Sequence, residues 1–197
     1  MKLGIYGGSF DPIHYGHLEP AREAREALGL DRIIYLPTAR PPHKPQRKGA
    51  SALARFTMTE LALLNDPNAI VSAVELEDRV SYTIETLEHF HHEHPEAQLV
   101  LILGSDSFHQ LDRWREWRAI LRLAELAVLD RPTETPQVLS PELSAELESS
   151  RVHTIANTPL AVSSTEIRRR LAARSQDLSQ LVPQLVLDYI QKYDLYR

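Results

Sequence analysis

Short apolar runs recur along this chain, and segments with helical periodicity separate them. The run at residues 99–103 reads Leu-Val-Leu-Ile-Leu, as expected of a strand that is covered on both faces. Alternating strands and helices predict right-handed crossover connections. We therefore predict an α/β fold: a doubly wound, Rossmann-like, mostly parallel sheet with helices on both faces and a C-terminal helical segment. The predicted strands are residues 2–6, 32–36, 69–74, 99–103, 126–129 and 152–155.

Length and composition are consistent with one core. The chain has 197 residues, of which 43% are hydrophobic, so we expect a single domain over residues 1–197. The amphipathic segment 185–196 is expected to pack on its own chain, and packing against a second copy in a homo-oligomer stays open. The absence of cysteine excludes disulfides and thiolate catalysis.

Charge and hydropathy narrow the range of partners. The 22 basic and 27 acidic residues are interspersed and give a net charge of −5, so no broad basic surface for nucleic acid is expected. No apolar run reaches the ~18 residues that a membrane span needs, and no signal peptide is visible. We therefore expect a cytoplasmic protein with neither nucleic acid nor membrane as a partner.

The segment after the first predicted strand, residues 7–18, reads GGSFDPIHYGHL. Periodic apolar residues predict a helix that ends near Gly29, which places His17 in the first helical turn. A helix start offers unpaired N–H groups, and glycines let a backbone approach an anion closely. A turn alone would explain the glycines, but His14 and His17 can each donate to a phosphate oxygen. The loop thus predicts phosphate chemistry on a nucleotide.

Two segments rich in hydroxyl side chains resemble helix starts. Residues 163–165, followed by Arg168, have the composition of a capped helix and equally of a cradle for phosphates. Ser81 and Thr83 precede another predicted helix, so either of them is a candidate cap as well as a candidate ligand contact.

Asp106 and Trp114 follow the most apolar strand. A carboxylate there suits ribose hydroxyls, and a helix cap is the alternative for Asp106. Helical spacing puts Trp114, Trp117 and Leu121 on one side, which leaves a structural role open for Trp114 and assigns Trp117 to the core.

Two basic stretches allow a structural and a functional interpretation. Residues 39–48 hold three prolines and several cations, including Lys44, and are either an anion clamp or a solvated loop. Arg55, on the next predicted helix, is either a phosphate ligand or an exposed charge. The histidine-rich run 89–94 is interpreted as a surface tract, so no metal site is predicted.

Five motifs occur in a defined order along the chain. They are GGSFDPIHYGHL at 7–18, PPHK at 41–44, SYTIETL at 81–87, GSDS at 104–107 with Trp114, and SSTEIR at 163–168. Together they resemble the bacterial nicotinate-nucleotide adenylyltransferases of the HxGH nucleotidyltransferase superfamily. The resemblance implies transfer of the adenylyl group of ATP to nicotinate mononucleotide in NAD biosynthesis, with Mg²⁺ accompanying ATP. Glu85 departs from the aspartate that is more usual in this family.

The resemblance also implies roles for individual residues. Those implied to be catalytic are His14, His17, Lys44 and Arg168. Those implied to bind ATP are Gly7, Gly8, Ser9, Phe10, His17, Gly104, Asp106, Ser163, Ser164, Thr165 and Arg168. Those implied to bind the mononucleotide are Lys44, Tyr82, Thr83, Trp114 and Arg115, with Trp114 stacking on the pyridine ring.

Three alternatives share the first motif or the fold. Adenylyltransferases for pantetheine phosphate and cytidylyltransferases for polyol phosphates carry the same first motif, but the pantetheine enzymes have threonine at the position of His14. The third alternative is a catalytically silent nucleotide-binding module. The later motifs and the intact pair of histidines favour an active enzyme for the pyridine mononucleotide.

Overall fold

The computed structural model describes residues 1–38, 49–76, 80–130, 138–147, 151–156, 160, 162–174 and 178–197. Six strands form one parallel sheet with the order β3-β2-β1-β4-β5-β6. This is the strand order of a Rossmann-like sheet, so the predicted fold class is confirmed. The strands are β1 (Lys2–Gly8), β2 (Arg32–Pro37), β3 (Ala69–Val71), β4 (Gln98–Gly104), β5 (Ala124–Leu129) and β6 (Val152–Ile155).

Helices connect the strands, and the described residues contain eight of them. Gly29, with a φ of 61°, ends the first of these helices, as the sequence predicts. A short 3-10 turn, Leu111–Arg113, separates the fourth helix from the fifth. The α-helices are α1 (Tyr15–Leu28), α2 (Ala52–Leu63), α3 (Thr83–Glu93), α4 (Ser105–Phe108), α5 (Trp117–Leu123), α6 (Pro141–Leu147), α7 (Ser164–Ala172) and α8 (Gln184–Lys192).

The strands lie where the apolar runs predict them, but the ends of β1, β2, β4 and β5 differ by one or two residues and β3 is shorter by three. Every residue of β5, and every residue of β4 after Gln98, is buried, so both faces of these strands are covered. β3 ends at Val71, three residues earlier than predicted. The reason is a turn, in which the Ser72 hydroxyl accepts a hydrogen bond from the Val74 N–H at 3.3 Å.

The chain divides into two compact units. Unit 1 comprises Met1–Tyr6, Pro20–Ile34 and Tyr82–Pro159. Within it β1 pairs with β4, so that Tyr6 lies opposite Ile102, and α3 packs against α5. The strand order reverses between β1 and β4, and doubly wound sheets bind ligands outside the carboxyl ends of strands at such a reversal.

Unit 2 comprises Gly7–Glu19, Tyr35–Ser81 and Leu160–Arg197. Within it α2 packs against α8, whose Val186 and Ile190 are buried. The amphipathic C-terminal helix therefore packs on its own chain, as predicted. The single domain over residues 1–197 stays a prediction.

A buried carboxylate lies at the start of β5 in unit 1. Glu125 is 7% exposed, and its Oε2 lies 3.3 Å from the Lys2 ammonium and 3.1 Å from His153 Nε2. Its Oε1 lies 2.5 Å from Arg151 Nη1 and accepts a hydrogen bond from Gln98. Burial alone raises the pKa of this carboxyl, but hydrogen bonds from His153 and Lys2 outweigh it, so the pKa of Glu125 is below its ordinary value.

Two further observations concern partners and metals. No helix in the described part of the chain combines the length and the apolar character that crossing a membrane requires. His89, His91 and His92 are exposed on α3, in agreement with a surface tract. Over the described residues, no group of three or more histidine, cysteine, aspartate or glutamate side chains is arranged to hold a metal ion.

Candidate active site

The loop after β1 leads directly into α1 within unit 2. The His14 carbonyl accepts hydrogen bonds from the N–H groups of His17 at 2.8 Å and Leu18 at 3.2 Å, so His14 stands immediately before the helix. His17 therefore lies in the first helical turn, as the sequence predicts. Both imidazoles are held beside the positive end of the helix dipole, a position that favours an anionic ligand.

The two imidazole rings stack on each other. Their centroids are 3.7 Å apart and their planes differ by 30°. His14 is 4% exposed, while His17 is half-buried and meets the edge of Phe10, with 5.2 Å between the ring centroids. The pair thus offers ring N–H donors in one fixed place.

Close packing at Gly16 leaves no room for a side chain beside the His14 ring. A Cβ at this position would lie 2.6 Å from Val162 Cγ1 and 3.0 Å from the His14 ring. No real Cβ comes so close to another carbon, so only glycine fits without a shift of its neighbours. The glycine between the histidines thus has a steric role.

Phe10 packs against His17 with a buried side chain, so its ring is not available to a ligand. Its ring is fully buried and also contacts Tyr35, at 6.0 Å between centroids. Its backbone has a φ of 44°, an uncommon value for a bulky residue. A contact between Phe10 and ATP would therefore use the backbone, and such a contact stays a prediction, as do those of Gly7, Gly8 and Ser9.

Residues of α7 donate hydrogen bonds to the same loop. Ser163 is the N-cap, and its hydroxyl accepts from the Glu166 N–H at 3.2 Å, which confirms the capped helix start. The Ser164 hydroxyl donates to the Pro12 carbonyl at 3.0 Å, and Arg168 Nη1 donates to the Asp11 carbonyl at 2.5 Å. Unit 2 thus brings these predicted phosphate ligands to the histidine loop, and their phosphate contacts stay a prediction.

Thr165 and the two arginines after Arg168 complete this turn. Arg168 Nη2 donates to Thr165 Oγ1 at 3.2 Å. Arg169 and Arg170 both pair with Glu166 at 2.7 Å, and their side chains are exposed, as the sequence predicts. These hydrogen bonds, first that of Arg169, lower the pKa of Glu166 to about 2.

The structure decides against one of the two sequence interpretations of Arg55, and the other, a phosphate contact, stays a prediction. The prediction of an exposed charge is wrong, because the residue is only 6% exposed. Its Nη1 donates to the carbonyls of Ser9 at 2.6 Å and Thr38 at 2.9 Å, and its Nε donates to that of Ala50 at 3.3 Å. Burial lowers the pKa of the guanidinium, and Asp11 partly opposes this effect. Arg55 ties the histidine loop to α2.

No local pattern in the sequence indicates the role of Asp11 and Tyr196. Asp11 Oδ1 accepts from the Tyr196 hydroxyl at 2.6 Å and from the Ala50 N–H at 3.1 Å, and Oδ2 lies 3.7 Å from Arg168 Nη1. The Asp11–Pro12 peptide is cis. The Asp-Pro pair is a turn signal, but nothing near Tyr196 in the sequence indicates a partner so far away.

The remaining predicted residues that the structure describes belong to unit 1, except Ser81, which ends a segment of unit 2. Gly104 is the N-cap of α4, and Asp106 lies exposed in its first turn, so the alternative of Asp106 as the cap is wrong. The alternative of Ser81 or Thr83 as the cap of α3 is wrong as well. Tyr82 occupies the N-cap position there, and its side chain makes no capping hydrogen bond. The ligand contacts of these residues stay predictions.

Trp114 and Trp117 are not on one helical face. Trp114 closes the 3-10 turn with an extended backbone, and Glu116 then adopts a φ of 51°, so the chain changes direction before α5. The expectation of common helical spacing is therefore wrong. Trp117 is buried, as predicted for the core, whereas Trp114 is half-buried.

Arg115 connects two of the predicted substrate segments. Its guanidinium lies 4.7 Å from the centre of the Tyr82 ring, and its Nη1 donates to Glu85 Oε1 at 3.0 Å. Glu85, which departs from the usual aspartate, therefore pairs with an arginine of the next motif. Lys44 lies outside the described residues.

Comparison with known proteins identifies relatives along the whole chain. A family model described as cytidylyltransferase-like matches residues 5–170. A probable nicotinate-nucleotide adenylyltransferase from Pelobacter propionicus is 38% identical over 213 residues, which cover 100% of this chain and 98% of the relative. Another from Herpetosiphon aurantiacus is 40% identical over 202 residues, with 100% and 98% covered.

Solved structures with the same fold are more distant in sequence. The nicotinic acid mononucleotide adenylyltransferase of Plasmodium falciparum, complexed with NaAD, superposes with a TM-score of 0.77 over 99% of this chain and 97% of its own. The two sequences are 20% identical, so this similarity concerns the fold alone.

Proposed function

Because the chain belongs to the nicotinate-nucleotide adenylyltransferases of the cytidylyltransferase-like family, we propose that it transfers the adenylyl group of ATP to nicotinate mononucleotide. An oxygen of the mononucleotide 5′-phosphate attacks the α-phosphorus of ATP. The bond from this phosphorus to the bridging oxygen of the β-phosphate breaks, and pyrophosphate leaves with the electron pair. The other product is nicotinate adenine dinucleotide.

The observation that carries this proposal is the stacked pair of His14 and His17 at the start of α1. Adenylyl transfer needs alignment and neutralisation of charge, and no covalent enzyme intermediate. Ring N–H groups that are already fixed in place can stabilise the charge that develops at the α-phosphate without reorganising. Phe10 and Gly16 supply that rigidity.

The triphosphate is assigned to residues around the same loop. Arg168 and Ser164 already contact the loop backbone, and the first turn of α7 adds N–H groups directed at its N-terminal end. We assign Lys44 to the phosphates on the ground of the family motif. The full proposed ATP set is Gly7, Gly8, Ser9, Phe10, His17, Gly104, Asp106, Ser163, Ser164, Thr165 and Arg168.

Magnesium is proposed to accompany ATP. Mg²⁺ keeps several waters and is bound mainly through substrate phosphates with one or two carboxylates. The carboxylate of this loop, Asp11, is already engaged by Tyr196 and Ala50. The residues of this loop therefore suit an ion that is held mainly by the phosphates of ATP. When bound, such an ion would neutralise part of the phosphate charge.

The pyridine mononucleotide is assigned to Tyr82, Thr83, Trp114 and Arg115 of unit 1 and, on the ground of the family motif, to Lys44. Tyr82 and Arg115 are in contact, so the segments that begin α3 and precede α5 are held together. We propose that Trp114 stacks on the pyridine ring and that Thr83 and Lys44 contribute polar contacts. The half-buried state of Trp114 leaves part of its ring surface accessible for stacking.

Release of pyrophosphate from ATP tests the function against its rivals. The purified chain is given ATP and Mg²⁺ with nicotinate mononucleotide, its amide or pantetheine phosphate as acceptor. We expect the greatest turnover with nicotinate mononucleotide and none with pantetheine phosphate. Turnover with pantetheine phosphate alone would support that rival, and no turnover with any acceptor would support a silent binding module.

Location and further partners follow from the sequence rather than from the site. We propose that the enzyme acts in the cytoplasm, and its modest net charge of −5 supports the absence of a nucleic-acid partner. Its partners are then ATP and the mononucleotide. A homo-oligomer stays open and is tested by light scattering of the purified chain.

A further inference from the structure

The turn that follows α8 folds back onto the histidine loop. The Leu195 N–H donates to the Ile190 carbonyl at 3.1 Å, and Asp194 and Tyr196 have φ values of 54° and 67°. These left-handed conformations are uncommon for residues with a side chain, so surrounding contacts must stabilise them. One such contact is the hydrogen bond from the Tyr196 hydroxyl to Asp11 Oδ1, at 2.6 Å.

The Asp11 carboxylate has two hydrogen-bond donors and one nearby cation, from three parts of the chain. Tyr196 and the Ala50 N–H reach Oδ1, and Arg168 approaches Oδ2 at 3.7 Å. Gly49 packs so closely on Oδ2 that a Cβ there would overlap it. The side chains of Asp11 and Arg168 are only 13% and 19% exposed, which makes each donor to the carboxylate matter more than at an open surface.

Asp11 is part of the loop that carries the histidine pair. Arg168 and Ser164 hold the carbonyls of Asp11 and Pro12, and Arg55 holds that of Ser9. These contacts fix the backbone, whereas the Tyr196 hydroxyl fixes the carboxylate. Only two residues separate Asp11 from His14, so a rotation of Asp11 is transmitted over a short, tightly bonded segment.

The Tyr196 hydroxyl that donates to Asp11 is uncharged, and this affects how strongly Asp11 attracts Arg168. A phenol satisfies a carboxylate lone pair without adding a positive charge. Without it, Asp11 would draw the Arg168 guanidinium from 3.7 Å into a closer ion pair, since a partly buried carboxylate needs a partner. An arginine in such a pair is less available to a phosphate.

We propose that Tyr196 is a positioning residue for adenylyl transfer: it holds the Asp11 carboxylate, and thereby keeps the loop before His14 in place and Arg168 available to substrate phosphates. This inference rests on the proposed function for its chemical consequence. Burial and the hydrogen bond to Asp11 raise the pKa of the Tyr196 hydroxyl above its ordinary value, so the donor keeps its proton throughout the neutral range.

The first test compares Tyr196→Phe with Tyr193→Phe in the full chain. Tyr193 is a matched control because it is 55% exposed and packs on Tyr189. We expect Tyr196→Phe to lower kcat by about 10-fold, with the KM for the mononucleotide changed less than about 2-fold. We expect the control to match the wild type in kcat. Equal kcat in both variants would overturn the inference.

The second test asks whether Tyr196 acts through Asp11. If it does, Tyr196→Phe combined with Asp11→Asn lowers kcat no further than Asp11→Asn alone. If instead the two effects multiply, Tyr196 acts by another route and the inference is wrong. Thermal unfolding of each variant shows whether a loss of kcat reflects a loss of folded protein.

A third measurement needs no catalysis, so it separates this inference from the proposed function. Imidazole resonances of His14 and His17 are expected to shift in Tyr196→Phe and to stay unchanged in Tyr193→Phe. Resonances that stay unchanged in both would overturn the inference even if the wild type is active. A wild type without turnover would instead reject the proposed function and leave the resonance shifts as the measure of positioning.

Discussion

Replacing Gly16 with alanine tests whether close packing sets the position of the histidine pair. The added methyl would lie 2.6 Å from Val162 Cγ1, so the two carbons must separate by about 0.8 Å to reach the 3.4 Å of ordinary contact. Alanine is about 1 kcal/mol better than glycine inside a helix, whereas overpacking costs about 1–3 kcal/mol. We therefore expect a net loss of stability of about 0–2 kcal/mol, or a Tm lower by a few degrees.

The effect on turnover should be much larger than the effect on stability. The His14 ring lies 3.0 Å from the same methyl and must move with it or away from it. A displacement near 1 Å in a reacting site costs roughly 10²-fold, so we expect kcat to fall by about that factor. Pyrophosphate release under saturating ATP and mononucleotide measures kcat, and differential scanning calorimetry measures Tm.

A second substitution separates this steric effect from a general loss of fold. Val162→Ala removes the carbon that the new methyl meets, so the double variant should regain roughly 10-fold of the lost kcat. Val162→Ala alone should change kcat little, because this half-buried side chain has no proposed contact with substrate. Wild-type kcat in Gly16→Ala, or no recovery in the double variant, would refute the steric argument.

Three further predictions concern charge. His17→Ala should lower kcat by about 10²- to 10⁴-fold and leave Tm almost unchanged, which calorimetry beside the pyrophosphate assay will show. Glu125→Gln should lower the free energy of unfolding in urea at pH 7 by about 1–3 kcal/mol, less than the full cost of breaking a buried ion pair, because the side chains of Lys2 and Arg151 are 22% and 73% exposed and can turn towards water. The depressed pKa of Glu125 stabilises the fold above the unfolded carboxyl value near 4.3, and this stabilisation is lost as the pH falls below it. Glu125→Gln should therefore show a flatter stability profile between about pH 5 and pH 3, and a profile as steep as the wild type would count against the argument. Glu166→Gln should change the midpoint of urea unfolding little, both at pH 7 and at about pH 3, since its ion pairs with Arg169 and Arg170 are exposed.

Features that depend on neighbouring residues were predictable from the sequence. The apolar run of β4, the end of α1 at Gly29 and the capped start of α7 each follow from residues within a few positions of one another. The place of His17 in the first helical turn follows in the same way. The fold class then follows because alternating strands and helices allow few topologies, whereas the strand order comes from the structure.

Features that depend on distant partners were not predictable from these patterns. Arg55 has the sequence context of a charge on an amphipathic helix, yet its acceptors include a carbonyl 46 residues away, at Ser9. Helical spacing between Trp114 and Trp117 assumes a continuous helix, and the left-handed Glu116 breaks it. A pattern in one segment carries no information about a carbonyl that another segment brings near, or about a single residue that reverses the backbone.

The hydrogen bond between Asp11 and Tyr196 joins residues that are 185 positions apart in the chain. A ribosome adds about 5–20 residues per second, so roughly 10–40 s pass between the synthesis of Asp11 and that of its phenolic partner. During this interval β1 and α1 can form, because their contacts are closer in sequence, but the carboxylate of the loop lacks one of its donors. A nascent chain would therefore acquire much of its secondary structure before the histidine loop reaches its final arrangement.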